Sequence, residues 1–173
     1  MTSPSRILLF TGDGKGKTTA ALGLALRAAG AGLKVYIAQF IKSGDYSEIK
    51  ALKVLAEHIT VEQFGLGRFI RGKPSAEDVE AARKGLRAIR TALNSGAYAV
   101  VIMEEGNVAA ACGLFPVDEI LAVMADKPAA VELVITGRGA DPRVIAKADL
   151  VTEMRAVKHY YQDGVAARVG IEK

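Results

Sequence analysis

Apolar residues along this 173-residue chain gather in short runs separated by helical patterns. Ile7-Leu8-Leu9-Phe10, Val35-Tyr36-Ile37-Ala38, Tyr98-Ala99-Val100-Val101-Ile102-Met103 and Val131-Glu132-Leu133-Val134-Ile135 are almost continuous and rich in β-branched side chains. Runs of this kind suit strands covered on both faces, as in a parallel sheet. Ile59 to Phe64 alternates and is weaker, and Ala148 to Met154 supplies a last strand. Between the runs, Lys17 to Ala31 is rich in Ala and Leu and apolar nearly all round, which predicts a helix buried against the sheet. Ser75-x-x-Asp78, preceded by Pro74, is a capping-box start. Val79, Ala82, Leu86, Ile89 and Leu93 then follow three and four apart, and Asn94-Ser95-Gly96 ends that helix. The alternation predicts a three-layer α/β sandwich with a mostly parallel central sheet. With no repeat, linker or low-complexity tract, the length fits one domain spanning residues 1–173.

Composition narrows the class. Hydrophobic residues make up 50% and charged residues 24%, the balance of a folded, soluble chain. The longest apolar run is far short of the roughly 20 residues a bilayer helix needs, so no membrane partner is expected. The single cysteine, Cys112, excludes an intramolecular disulfide and a Cys-cluster zinc site. Met1 to Arg6 is short and polar, unlike a secretory signal, and the cytoplasm is the expected compartment. The net charge is +4, and the excess sits in Arg68 to Arg90, which holds Arg68, Arg71, Lys73, Arg83, Lys84, Arg87 and Arg90 against Glu77, Asp78 and Glu80. Phe69 is its single aromatic residue, too few to interleave with the basic positions, so it reads as a solvated helix face and no nucleic-acid partner is expected.

The most informative residues are Thr11-Gly12-Asp13-Gly14-Lys15-Gly16-Lys17-Thr18-Thr19, between the first strand and the first helix. Glycines there let the backbone curl so that successive N–H groups point inward at an anion, and the helix N-terminus adds positive charge. Lys17 places an ammonium on phosphates, and the Thr18 hydroxyl can ligate Mg²⁺. The match to G-x-x-x-x-G-K-[ST] is imperfect, because five places before Gly16 stands Thr11 and Gly12 comes one place late. The Gly-Lys-Thr core in a strand–loop–helix context nevertheless identifies a site for a nucleoside triphosphate with Mg²⁺. A later strand ends in Glu104-Glu105, at the edge where α/β proteins bind ligands. Adjacent residues on an extended chain face opposite ways, so one carboxylate reaches the metal and the other packs or bonds nearby. No Asn-Lys-x-Asp guanine-reading motif is present, which argues against a Ras-type GTPase.

Gly12-Asp13-Gly14-Lys15-Gly16-Lys17-Thr18-Thr19-Ala20-Ala21-Leu22-Gly23 resembles the phosphate loop of the ATP:corrinoid adenosyltransferases of the CobA/BtuR/CobO type. Val35-Tyr36-Ile37-Ala38-Gln39-Phe40-Ile41-Lys42, Ile135-Thr136-Gly137-Arg138, Ala148-Asp149-Leu150-Val151-Thr152-Glu153-Met154, Lys158-His159 and Gly170-Ile171-Glu172 extend the resemblance from about Ile7 to Glu172. It implies a RecA-like P-loop fold, usually a homodimer. It implies transfer of the 5′-deoxyadenosyl group from ATP to the Co(I) centre of a reduced corrinoid, with triphosphate as leaving group and a reductase supplying the electrons. ATP in this family lies reversed, so the loop grips the phosphate chain while C5′ faces the corrinoid. The implied nucleotide contacts are Gly12 to Thr19 and Arg138, with Lys17 and Glu105 as the catalytic pair and Thr18, Glu105 and Glu104 as metal candidates. Since cobalt is the nucleophile, no Ser–His–Asp or Cys–His constellation is needed, and His58 and His159 read as surface or packing residues.

The chain departs from the family at several points. The strand-end pair is usually Asp-Glu, and Glu104 adds one methylene; Asn107 is kept, but Gly106 stands for a usual apolar residue. Glu105 keeps the position expected of the Mg²⁺ ligand. A Gly-x-Gly-Phe-x-Trp segment of some members reads Gly65-Leu66-Gly67-Arg68-Phe69-Ile70, which puts Arg68 and Phe69 on the corrinoid side, and the chain has no tryptophan. Few residues precede the first strand, so any cap over the corrinoid is expected from elsewhere. Two other readings stand beside the transferase: an ordinary P-loop ATPase or kinase, and a non-catalytic nucleotide or corrinoid carrier.

Overall fold

The computed structural model describes residues 5–70 and 72–172; Arg71 of the basic stretch and the first four residues lie outside them. Six strands form one sheet: β1 (Ile7–Thr11), β2 (Val35–Phe40), β3 (Ile59–Phe64), β4 (Val100–Glu104), β5 (Glu132–Thr136) and β6 (Leu150–Glu153). Their order across the sheet is β3-β2-β4-β5-β1-β6 and every pairing is parallel. The strand expected from Tyr98 begins at Val100 instead, because Lys34 O takes the Ala99 and Val100 N–H groups before the ladder starts.

Period-2 alternation sorts the core into two layers. Leu9, Tyr36, Ala38, Phe40, Val101, Met103, Leu133 and Ile135 face α3 (Ala76–Asn94), α4 (Gly106–Ala111), α5 (Val117–Ala125) and α6 (Pro142–Lys147). Phe10, Val35, Ile37, Val100, Ile102 and Val134 face α1 (Lys17–Gly30) and Leu52 of α2 (Ser47–Leu52). The sandwich therefore has the three layers expected. The capping box of α3 is present, with Ser75 Oγ accepting from Asp78 N and Asp78 accepting from Ser75 N. Basic residues of its outer face are paired with acids: Arg87 with Glu80 and Arg90 with Glu119 of α5.

The α1 expectation needs correction. Its buried apolar residues are Ala21, Ala25, Ala28 and Ala29, while Leu22 is half-buried and Leu26 is 58% exposed. Small side chains bring this helix close to the sheet; Leu22 and Leu24 pack half-buried at the edge of the core, and Leu26 is left outermost. Gly85 of α3 makes a similar close approach: a Cβ there would stand 2.7 Å from the Phe40 ring and 3.0 Å from Phe64.

After β6 the chain returns across the first turn of α1. Met154 N donates to Thr11 O, and Gly14 N donates to Met154 O at 2.6 Å. A 3₁₀ turn (Tyr160–Asp163) follows, and the last residues are tied together by Glu172. Its carboxylate accepts from the Tyr160 hydroxyl and from Arg168, whose guanidinium also lies 5.0 Å from the Tyr160 ring centroid. Lys15 Nζ donates to Ile171 O at 2.8 Å, fastening this knot to the glycine-rich loop.

Two expectations follow. Gly→Ala in a helix interior ordinarily stabilises by up to about 1 kcal/mol, but at Gly85 the aromatic rings reverse the sign. Urea unfolding of Gly85→Ala should show a loss of about 1–3 kcal/mol, and a gain would show that the rings yield. The Arg168 and Tyr160 bonds hold the Glu172 carboxyl at about 2, below its ordinary 4.5. A depressed carboxyl contributes stability above its unfolded value and loses it as pH falls through the folded one. Amide-exchange protection of residues 160–172 should therefore persist at pH 5 and fade between 4.5 and 2. Glu172→Gln should lack it already at pH 7.

Candidate nucleotide site

The loop between β1 and α1 owes its shape to two positive-φ glycines and two close approaches. Gly12 has φ 90° and Gly16 φ 128°, conformations that L side chains rarely adopt. A Cβ on Gly12 or Gly14 would stand 2.5 Å or 2.7 Å from the backbone of Met154 or Arg155. The end of β6 thus presses on the loop and takes the Gly14 N–H, so that this amide does not face inward with the others, as the sequence suggested. Lys17 is buried, and its ammonium bridges Gly12 O at 2.6 Å and Gly14 O at 2.7 Å. Burial lowers its pKa, with the nearby Arg138 charge acting the same way.

Beside this loop lies a cavity of about 1070 Å³. One end is lined by Gly14 to Thr19, Lys42, Glu105 and Arg138. The opposite wall is apolar, made by Leu22 and Leu26 of α1 with Leu52 and Leu55 beyond them, and His159 and Gly170 to Glu172 form part of the rim. The misfit of α1 with its predicted burial is explained here, since its outer leucines face the cavity. Gly12 and Asp13 lie outside the lining, on the strand side of the loop.

The two adjacent glutamates differ in burial and partners, but they do not fall on opposite sides as alternation alone predicts. Glu104 is the last residue of β4 and points to the α1 side, across from Gln39 in the sheet register. It is 0% exposed, and its Oε1 accepts from Thr18 Oγ1 at 2.6 Å and from Lys42 Nζ at 3.1 Å. Glu104 Oε2 is buried with no hydrogen-bond partner. Glu105 turns left-handed (φ 59°), caps α4 and joins the cavity lining, while its N–H donates to Thr136 Oγ1. The acid in contact with the loop threonine is thus Glu104, and its additional methylene closes that contact. Gly106 is also accounted for: a Cβ there would meet Met103 Cγ at 2.7 Å.

Burial pushes the Glu104 carboxyl upward, opposed by Lys42 and the Thr18 hydrogen bond. For Lys42, burial acts downward, but the Glu104 charge and hydrogen bond outweigh it and the net shift is upward. At 3.1 Å the two groups form a salt bridge, with Glu104 buried behind the part of the cavity lining that Thr18 and Lys42 contribute. The Thr18 hydroxyl and the Glu104 carboxylate, one oxygen of which has no partner, form a donor set suited to a hard divalent cation such as Mg²⁺. Among the described residues no group of three or more His, Cys, Asp or Glu could hold a metal alone. Mg²⁺ commonly takes one or two carboxylates and fills its shell with water and phosphate oxygens.

Arg68 and Phe69 stand apart from this cavity. Arg68 bonds Ser75, Glu77 and Asp78 at the start of α3, and Phe69 is 91% exposed in the β3–α3 connection. Lys42, His159 and the Gly170–Glu172 segment were not singled out as site residues from the sequence. Their family-like strings were the signal, but the β6 return that carries the last two to the loop is a tertiary fact. His159 is neither plain surface nor core, since Nδ1 accepts from Tyr161 N at the cavity rim. His58 is half-buried with Nδ1 unpartnered, away from the cavity. No described helix is long and apolar enough to cross a membrane.

Comparison with known proteins agrees with this geometry. Residues 4–172 match the family model described as ATP:corrinoid adenosyltransferase BtuR/CobO/CobP. The corrinoid adenosyltransferase of Pseudomonas aeruginosa is 34% identical over 167 residues, covering 96% of this chain and 82% of that one. The corrinoid adenosyltransferase of Escherichia coli K12 is also 34% identical, with 96% and 84% covered. Corrinoid adenosyltransferase CobA of Salmonella typhimurium is 33% identical, with the same coverage. A glycine-rich loop, a strand-end acid bonded to its threonine and a match across nearly every residue lead to one conclusion: the chain belongs to the ATP:corrinoid adenosyltransferase family.

Proposed function

We propose that this protein transfers the 5′-deoxyadenosyl group of ATP to the Co(I) centre of a reduced corrinoid and releases triphosphate. The observation that carries the reading is the cavity in a chain of this family, cationic at the glycine-rich loop and apolar along α1 and α2. Co(I) supplies both electrons of the new Co–C5′ bond. The C5′–O bond breaks, and its pair leaves with the triphosphate, so no proton is transferred. The protein's tasks are alignment of C5′ and stabilisation of charge on the leaving group. Lys17, Arg138, the Thr18 and Thr19 region and the remaining loop amides are the groups suited to the second task. Thr18 and Glu104 would hold Mg²⁺ from the floor, with Glu105 beside them. Bound there, the ion neutralises charge on phosphate oxygens.

The apolar wall of Leu22, Leu26, Leu52 and Leu55 is suited to an adenosine or corrinoid face, and exposed Phe69, with Arg68 behind it, to the corrinoid edge. Consumption of Co(I) calls for an electron-donating reductase as partner. A homodimer and a cytoplasmic setting complete the reading, on the strength of the family resemblance.

Anaerobic incubation with ATP, Mg²⁺ and chemically reduced cobalamin tests the proposal through the visible absorbance change on cobalt alkylation. One triphosphate should appear per alkylated cobalt. Release of ADP and phosphate at a rate indifferent to corrinoid would instead establish an ordinary ATPase. The two acids can be separated in the same assay. Glu104→Gln should raise the Mg²⁺ concentration for half-maximal rate more than tenfold, and more than Glu105→Gln does; the reverse order would return the metal to Glu105.

A further inference from the structure

Among the described residues, Lys42 is the cation bonded to both Thr18 and Glu104, and neither the phosphate-loop motif nor the proposed chemistry uses it. Its Nζ stands 3.1 Å from Glu104 Oε1 and 3.3 Å from Thr18 Oγ1. Those are the two atoms to which the proposed reading gives the metal. Its side chain is only 22% exposed and lines the same cavity as Gly14 to Thr19.

The backbone places it there at a cost. Ile41 has φ 67°, and Lys42 N donates to Phe40 O at 2.7 Å, which closes a three-residue γ-turn of the uncommon positive-φ kind. For a β-branched residue this conformation is an outlier, costing on the order of 1–3 kcal/mol. Neighbouring packing enforces it: a Cβ on Gly65 would stand 2.1 Å from the Ile41 carbonyl, so only glycine permits the β3 end to lie against the turn. Ile41 and Glu105 are the two non-glycine residues with positive φ among the described residues, and they flank the same floor.

We infer that Lys42 is a resident cation that occupies the metal position of the nucleotide-free site and must leave it when the metal–nucleotide arrives. The inference rests on the proposed Thr18–Glu104 metal position, but not on adenosyl transfer. An ammonium and a divalent ion cannot share one carboxylate oxygen and one hydroxyl without strong repulsion. The four-carbon lysine stem is flexible, so the strained turn can stay fixed while Nζ swings into the cavity. There the cation meets incoming phosphate oxygens, so the charge lost by Glu104 is regained on the polyphosphate. Lys42 acts as a positioning residue, keeping the buried carboxylate compensated until the metal takes its place.

The test needs neither corrinoid nor turnover. Mn²⁺ binding to the nucleotide-free protein is followed by electron paramagnetic resonance for wild type, Lys42→Met and Lys42→Gln. Both substitutions should bind Mn²⁺ at least tenfold more tightly than wild type, and adding Thr18→Val to Lys42→Met should abolish the gain. Metal-free tripolyphosphate, titrated calorimetrically in EDTA, should bind Lys42→Met about tenfold more weakly. Equal Mn²⁺ affinity in wild type and folded Lys42 variants overturns the inference while leaving the transferase reading intact. A gain that survives Thr18→Val removes the metal from Thr18 and overturns both the inference and the metal assignment. A merely structural lysine would lower stability without tightening metal binding.

Discussion

A buried carboxylate governs the architecture of the site. Glu104 sits at the end of a central strand with no exposed surface, where an uncompensated charge would cost several kcal/mol. Three demands follow from it. A donor must come from the first turn of α1, and Thr18 supplies it; a cation must come from the end of β2, and Lys42 supplies it. The helix N-terminus and two strand ends must then converge within hydrogen-bonding distance. The sheet order meets this condition by laying β2 directly beside β4, so that Gln39 and Glu104 are register partners and the chain leaving β2 passes the acid at once.

Convergence is held by strain in some places and by small residues in others. Ile41 and Glu105 accept left-handed backbone at the two strand ends that flank the floor. Such conformations persist only where surrounding packing over-determines them, and Gly65 against Ile41 is that packing. On the α1 side, alanines set the helix close to the sheet, and the leucines freed by that choice become the apolar wall of the cavity. One helix thereby fills the core mainly with its small residues and turns Leu22 and Leu26 to the cavity.

Much of this was legible in the chain. The near-continuous β-branched runs gave a sheet covered on both faces, and the Gly-Lys-Thr string between a strand and a helix gave the anion site, because both signals are local. The capping box at Ser75 was equally local. What could not be read depended on contacts between distant segments. α2, α4 and α6 are six residues each, too short to show a helical period. The burial of α1 was overestimated because periodicity counts apolar residues without regard to size. Alternation placed the two glutamates on opposite sides, but the left-handed turn at Glu105 brings it back to the cavity rim. The Met154 backbone that claims the Gly14 amide lies 140 positions along the chain, beyond any local pattern.

The charge arrangement also bears on why such a site would favour loss of a whole triphosphate over hydrolysis at its far end. Lys15, Lys17, Lys42 and Arg138 line one end of the cavity, and the partial positive charge of the α1 N-terminus points the same way. A polyphosphate bound as proposed would have its charge met along its length rather than at one phosphorus. Grip along the chain binds ground state and transition state alike, so the barrier for departure of the whole chain falls only through donors that meet the new charge at the C5′ bridging oxygen. The apolar wall offers little to a developing anion, and the proposed transfer needs no base because the low-valent cobalt is itself the nucleophile. Division of one cavity into a cationic end and an apolar wall is therefore the property that links the packing of α1 to the chemistry proposed for this chain.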